Sequence, residues 1–412
     1  MTPARTLYRD LTLIDGTGAE PVPSAAVVVE DGVIVYAGPS AAAPGARPED
    51  TVESLGGRTL LPGFIDAHVH FGFADGRALA TNNSEVSRSL HAFESAERMR
   101  LTLEAGVTGA RDLGGADAGF RIAQERGLIR GPRLSMALRL MSHTGGHADF
   151  TLPSGPDPHD REHSASEIAD SPHEVRVSTR RLIRDGADVI KVCATGGLTS
   201  PSDGPTDEGV TEEEIAVIVA EGAAHGGRPV AAHAQGAAGI RNAVRGGAAS
   251  IEHGYLIDDE GIDLMLEHGT FLVPTLTTFD FEDRIHLMSQ KAIDTKRALA
   301  DETYERISHA VSRGVRVAMG TDAGISEHGR NLREPAQMVS VGLTPMGAIV
   351  AGTRDAAELV GTVDRVGTVE TGKLADLVVC DGDPLADIAL LGDRENVVLV
   401  VQGGEVVKDT RP

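Results

Sequence analysis

A chain of 412 residues is long enough for a catalytic barrel of ~250 residues and a smaller companion domain. Its 38 Lys and Arg against 61 Asp and Glu leave a formal net charge of −23, which sets most of the surface against a polyanion and excludes nucleic acid as the expected partner. Two cysteines are too few for a disulfide framework and no uncharged apolar run nears the ~18 residues of a membrane span, so the sequence reads as a soluble, cytosolic protein.

In chain order, the first 55 residues predict short strands at 11–15, 25–29 and 33–37, the last two joined by Asp31-Gly32, a two-residue hairpin signal. The far end echoes this with apolar runs at 374–380 and 396–401 and a turn at Gly403-Gly404 leading into 405–408. One small β domain made from residues 1–58 and 362–412 is the economical inference. Between them, residues 59–361 alternate short apolar strands with helical stretches at 89–105, 171–185, 212–225, 237–245, 258–268 and 301–313, the pattern of βα units and a parallel sheet. Eight strands are predicted, ending near His70, Asp112, Met141, Cys193, His233, His253, Thr275 and Asp322. The expected fold is therefore α/β, a (β/α)8 TIM-type barrel with a small β-sandwich formed from both termini. With nine Phe, four Tyr and no Trp, its core must be built from Ala, Val, Leu and Ile, which fill parallel strands. Two polar stretches, 144–171 and 196–211, exceed ordinary connectors and read as active-site loops or, alternatively, as surface insertions.

A barrel builds its site at the C-terminal ends of its strands. Strand one ends in His68-x-His70, where alternation turns both imidazoles to the same side so that they can share an ion. Strand five ends in His233, strand six in His253 and strand eight in Asp322, while strand four carries Lys191 inside the apolar run DVIKVCA, where an unpaired ammonium is costly. One histidine at a strand end is ordinarily a hydrogen-bonded structural residue. Four histidines, an aspartate and a lysine on five strand ends make a metal site with open positions. The motif HTGGH adds His143 and His147 just after strand three, and Arg139 sits at the same rim, where it binds a carboxylate or joins an ion pair.

The segments LPGFIDAHVH (61–70), GADVIKV (186–192), HAQG (233–236), SIEHG (250–254), GTDAG (320–324) and GKLADLVVCDGDP (372–384) resemble the amidohydrolase superfamily, in its prolidase-like and imidazolonepropionase-related branch, over nearly the whole chain. The resemblance implies hydrolysis of amide bonds in dipeptides or N-acyl amino acids at a centre of two divalent ions, zinc foremost, bridged by a hydroxide and by a CO₂-derived carbamate on Lys191. His68, His70 and Asp322 would hold one ion, and His233 and His253 the other. Asp322 would also relay the proton from the attacking hydroxide to the departing amine. His143 would steady the oxyanion or a substrate carboxylate, with His147 shaping the loop. A small-molecule substrate and a homo-oligomer complete the picture.

One departure bears on specificity. Many prolidase-like relatives have a tyrosine two residues after the strand-five histidine, for the substrate's terminal carboxylate, and here Gln235 stands in that place; other N-acyl amino acids thus stand beside X-Pro dipeptides. Tyr255 either supplies a phenol or packs the rim. Three rivals remain open: a cyclic-amide hydrolase or deaminase, whose relatives typically use one metal and lack the strand-four lysine; an ester or phosphotriester hydrolase; and a non-catalytic scaffold, against which the filled metal positions argue. Helical His91, His225, His268, His286 and His309, and His159, His163 and His173 in or beside the first polar loop, are assigned no role. Cys193 reads as a small buried filler.

Overall fold

A computed structural model describes residues 5–73, 87–151, 165–198 and 203–411. Its strands are β1 (Arg5–Leu13), β2 (Val22–Glu30), β3 (Val33–Pro39), β4 (Thr51–Ser54), β5 (Thr59–Pro62), β6 (Phe64–Val69), β7 (Val107–Asp112), β8 (Arg133–Met136), β9 (Leu140–Ser142), β10 (Ser166–Ile168), β11 (Ile190–Cys193), β12 (Val230–Ala234), β13 (Ser250–His253), β14 (Phe271–Val273), β15 (Leu377–Cys380), β16 (Val397–Gln402) and β17 (Glu405–Asp409). Its helices are α1 (Arg88–Glu104), α2 (Ala118–Glu125), α3 (Pro172–Asp185), α4 (Glu212–Ala224), α5 (Ala237–Arg245), α6 (Asp259–His268), α7 (Gln290–Ser312), α8 (Glu334–Ser340), α9 (Pro345–Ala351) and α10 (Arg354–Leu359). Five of the six expected helices lie within a residue of their predicted bounds. The sixth, expected at 301–313, starts earlier at Gln290, where the Ser289 side chain accepts from Ala292 N–H and caps the helix. Among the described residues no helix is long and apolar enough to cross a membrane.

Strands from both chain ends share one sheet, ordered β17-β16-β15-β5-β1-β2-β3, with β4 also on β1. It is continuous, where a sandwich implies two sheets. The reason lies in β1, which pairs in parallel with β4 over its first half and with β5 near its end, with its register against β2 shifting between Tyr8 and Leu11. Leu11, Val27 and Ile34 from one half and Val379, Leu399 and Val401 from the other belong to the same apolar cluster. The opposite face, through Leu61, Val378 and Val400, packs on Phe64, Val107 and Val317. These are residues where central strands begin, so the terminal sheet covers that end and leaves the C-terminal strand ends for chemistry.

The central strands form two parallel sheets, β6-β7-β8 and β10-β9-β11-β12-β13-β14. The expected third strand is split into β8 and β9 around Leu138, whose φ of 68° breaks the extended run. The expected eighth strand is a segment held by isolated bridges. On one side Leu272 N–H donates to Arg316 O and Ala318 N–H to Leu272 O; on the other, Ala67 N–H donates to Met319 O and His70 N–H to Ala323 O. Gly320 lets it pass, since a Cβ there would lie 2.3 Å from Val273 Cγ1. Val69, Ile190, Val192, Ala232, Ile251 and Leu272 fill the space between these strands and the surrounding helices.

Candidate metal centre

His68, His70, Lys191, His233, His253 and Asp322 are all buried, at or beside the C-terminal ends of their strands. Strand alternation alone would turn Glu252 and His253 to opposite faces. His253 nevertheless joins the other histidines because its φ is 74°; Thr275 and Asp322, at 50° and 53°, share this left-handed backbone. Non-glycine residues rarely adopt it, and such conformations concentrate where surrounding structure and function demand them.

One end of the centre is a compact trio. Donor atoms of His68, His70 and Asp322 lie within 4.8 Å of one another. His68 donates its Nδ1–H to Glu252 at 2.8 Å, and His70 donates its Nδ1–H to the Gly114 carbonyl at 2.8 Å. Both Nε2 lone pairs are thereby turned inward, 3.3 Å apart and 3.5 and 3.3 Å from Asp322 Oδ1. Three electron-rich atoms facing one another suit a cation, and the donor set of two imidazoles and a carboxylate suits a divalent ion. Burial would raise the Asp322 carboxyl, but His70, His68 and Lys191 outweigh it and hold Asp322 below the usual carboxylate range. Burial keeps His68 neutral, well below the ordinary histidine value, and Lys191 adds to the effect.

The other end is assembled from His233, His253 and Lys191. His233 and His253 meet edge to face with ring centroids 4.6 Å apart, and His253 lies 5.0 Å from His68. His253 Nδ1 reaches Thr275 Oγ1 at 2.8 Å, and His233 Nε2 donates to the Gly196 carbonyl at 3.0 Å, leaving Nδ1 as its basic atom. Burial lowers both imidazoles well below the ordinary value. Lys191 Nζ is buried with no hydrogen-bond partner among the described residues. Burial lowers its pKa, while Glu252, Cys193 and Asp322 partly restore it.

The remaining candidates are distributed around this centre. His143 Nε2 donates to Glu214 at 2.9 Å, and Glu214 is itself the capping-box residue at the start of α4. His147 stacks on His233 at 4.1 Å with its Nδ1 3.6 Å from Asp203, and a Cβ at Gly197 would intrude to 2.2 Å from its ring. Gln235 accepts from Leu198 N–H at 3.1 Å, tying strand five to the second polar loop. Tyr255 is buried behind His253, its hydroxyl 3.0 Å from Thr275 Oγ1 and 2.8 Å from Thr278 Oγ1. Arg139 stands apart from the cluster, in ion pairs with Glu167 and Asp185 at 2.9 Å each. His159 and His163, with residues 152–164 and 199–202 of the two polar loops, lie outside the described residues.

Several supporting residues escaped sequence reasoning. Glu252 binds His68, Arg111 and Ser250 together, and Asp66 accepts from His68 N–H, Thr321 N–H, the Thr321 hydroxyl and Asn331. Asp112 accepts from Phe71 and Gly114 N–H, and the peptide that carries the Gly114 carbonyl used by His70 is held through Gly115 N–H donating to Leu138 O. Their signal was present: a carboxylate inside an apolar strand, as in SIEHG, is too costly to bury without partners.

The amidohydrolase family model matches residues 59–407. Ochratoxinase from Aspergillus niger is 34% identical over 419 aligned positions, covering 96% of this chain and 85% of that one. Among solved structures, a Xaa-Pro dipeptidase with bound methionine superposes with a TM-score of 0.88 at 32% identity, covering 98% of this chain and 99% of the other. A prolidase complexed with N-methylphosphonate-L-proline gives 0.91 at 32% identity, covering 99% and 100%.

Proposed function

The chain belongs to the amidohydrolase family, and from that premise we propose that it hydrolyses the amide bond of dipeptides, in the manner of a prolidase, or of N-acyl amino acids, with two divalent ions, zinc foremost. The observation that carries the reading is the convergence of two imidazole lone pairs and the Asp322 carboxylate beside the unpartnered Lys191 amine. The solved Xaa-Pro dipeptidase and prolidase support the dipeptide class.

In this reading His68, His70 and Asp322 would hold one ion and His233 and His253 the other, with Lys191 as a further ligand once carboxylated. The neutral amine adds to the carbon of CO₂ and releases one proton, which leaves an anion where a bare ammonium would be costly. When bound, the ions lower the pKa of a water and polarise the scissile carbonyl. Asp322 accepts a proton from that water and passes it to the departing nitrogen. His143, its Nε2–H held by Glu214, presents Nδ1 and serves an oxyanion only when both nitrogens are protonated. Residues 59–361 form a closed eight-stranded barrel in the same reading, with 1–58 and 362–412 as the terminal domain, supported by the hydrogen bonds of residues 316–323 to strands on both sides.

The test is amine release from a panel of dipeptides and N-acyl amino acids by protein grown with zinc and bicarbonate, with Lys191→Ala in parallel. Hydrolysis of a subset that the variant loses is the expected result. A wild type inert on the whole panel overturns the peptide assignment and moves the search to cyclic amides, lactones and phosphotriesters.

A further inference from the structure

We infer that Glu334 is a positioning residue for the His253 end of the centre, acting through the turn at residues 275–277; the inference rests on the amidohydrolase reading for the ion that His253 serves. The turn follows β14 and opens with Thr275 at φ 50°. A β-branched residue adopts this conformation only when neighbours impose it. The fully buried carboxylate of Glu334, first residue of α8, accepts from Leu276 N–H through one oxygen and from Thr277 N–H through the other, each at 2.8 Å. Two consecutive backbone donors on one carboxylate fix the orientation of both peptide planes.

That orientation decides where the Thr275 hydroxyl points. Three groups meet this hydroxyl: the Pro274 carbonyl at 2.8 Å, the Tyr255 hydroxyl at 3.0 Å and His253 Nδ1 at 2.8 Å; with its proton on the carbonyl, which can only accept, the oxygen is an acceptor for His253. His253 must then keep its proton on Nδ1 and turn a bare Nε2 toward the centre, as hydrogen bonds at the far nitrogen generally dictate for ligating histidines. The Thr277 hydroxyl donates to Thr321 O at 3.2 Å, one residue before Asp322, and Lys296 Nζ donates to Thr278 O at 2.7 Å, pinning the rest of the turn. Among the described residues no Lys or Arg forms an ion pair with Glu334; it is buried against backbone amides, and burial pushes its carboxyl up to about 7 in spite of them. His68 and His70 are oriented by Glu252 and the Gly114 carbonyl instead, so they serve as internal controls.

The experiment uses the full metal-free chain with ¹⁵N-labelled histidine, reading imidazole tautomers by long-range ¹H–¹⁵N NMR, and zinc affinity by competition with a chromophoric chelator. Wild type is expected to hold His253 as the Nδ1–H tautomer. Thr275→Val should release that tautomer and weaken one zinc by about 10–100-fold, the usual cost of losing such a partner, and Thr275→Ser should restore both. Glu334→Gln should reproduce the Thr275→Val spectrum at His253 while His68 and His70 stay unchanged. Glu334→Asp, which retracts the carboxylate by one methylene, is read in the same way if the glutamine variant does not fold. An unchanged His253 in a folded Glu334 variant overturns the inference, and so does simultaneous loss of all three tautomers, which marks a merely structural role. A wild type that binds no zinc refutes the metal reading alone, because the tautomer is read without metal.

Discussion

At the end of the centre that carries His68, His70 and Asp322, every outward-facing nitrogen is already committed: to the Glu252 carboxylate, itself paired with Arg111, and to the Gly114 carbonyl. At the other end His233 leans on the Gly196 carbonyl and on the His147 ring, and Lys191 has no hydrogen-bond partner among the described residues. The first end is a His-His-Asp cluster whose donor atoms lie within 4.8 Å of one another, a set that suits a cation. Among the described residues no carboxylate hydrogen-bonds His233, His253 or Lys191, and in the proposed reading a carbamate on Lys191 supplies that anion. If the proposed two-ion reading holds, the ions at the two ends should therefore differ in how they are lost.

The largest effect should follow Lys191→Met. Removing the amine is expected to abolish amide hydrolysis by well over 100-fold, more than loss of an outer partner costs, and to reduce bound metal from two ions to one per chain by elemental analysis. Two ions retained in the variant would break the comparison, because the second end would then be complete without the lysine. Glu252→Gln attacks the first end instead. It leaves Arg111 charged and buried without its carboxylate, a change expected to cost about 3–5 kcal/mol in denaturant unfolding and about 10–100-fold in affinity for the ion at His68. Gly197→Ala is milder. A Cβ there would press on the His147 ring, and overpacking of this kind costs about 1–3 kcal/mol; it should loosen the ion at His233 and leave the one at His68 unaffected, as metal titration would register.

The same contrast governs what could be read from sequence. The His68-x-His70 pair was legible because strand alternation alone sets it. His253 and Asp322 were legible as strand ends, yet their φ values of 74° and 53° are not written in any periodicity, and without them His253 would face away from the site. The helices were legible as amphipathic stretches each followed by a glycine, as with Gly186 and Gly269, which the structure places at C-caps in the left-handed conformation, whereas the eighth strand is an interrupted segment whose pairing comes from backbone bridges rather than an apolar pattern. Arg139 illustrates the limit: its partners Glu167 and Asp185 are 28 and 46 residues away, beyond the reach of local reasoning. Glu334, 58 residues from the amide it holds, is hidden for the same reason.

The smallest effect separates the two buried lysines. Lys296 differs from Lys191 in having a carbonyl partner, Thr278, and the rings of Phe279 and Phe281 beside it at 5.1 and 5.8 Å. Burial still lowers its pKa to about 7 from 10.5, against the opposing pull of Asp322. Between these two values the unfolded chain binds the proton and the folded chain releases it, so this group makes folding stability rise as pH increases from about 7 to about 10.5. Lys296→Met should remove that rise while keeping the aliphatic stem's packing. Denaturant midpoints of metal-free protein at pH 7 and pH 9.5 measure it: wild type should gain more than the variant between the two. Equal gains would mean that Lys296 keeps its proton throughout, held by the carbonyl and the aromatic faces, and that burial alone does not distinguish it from an exposed lysine.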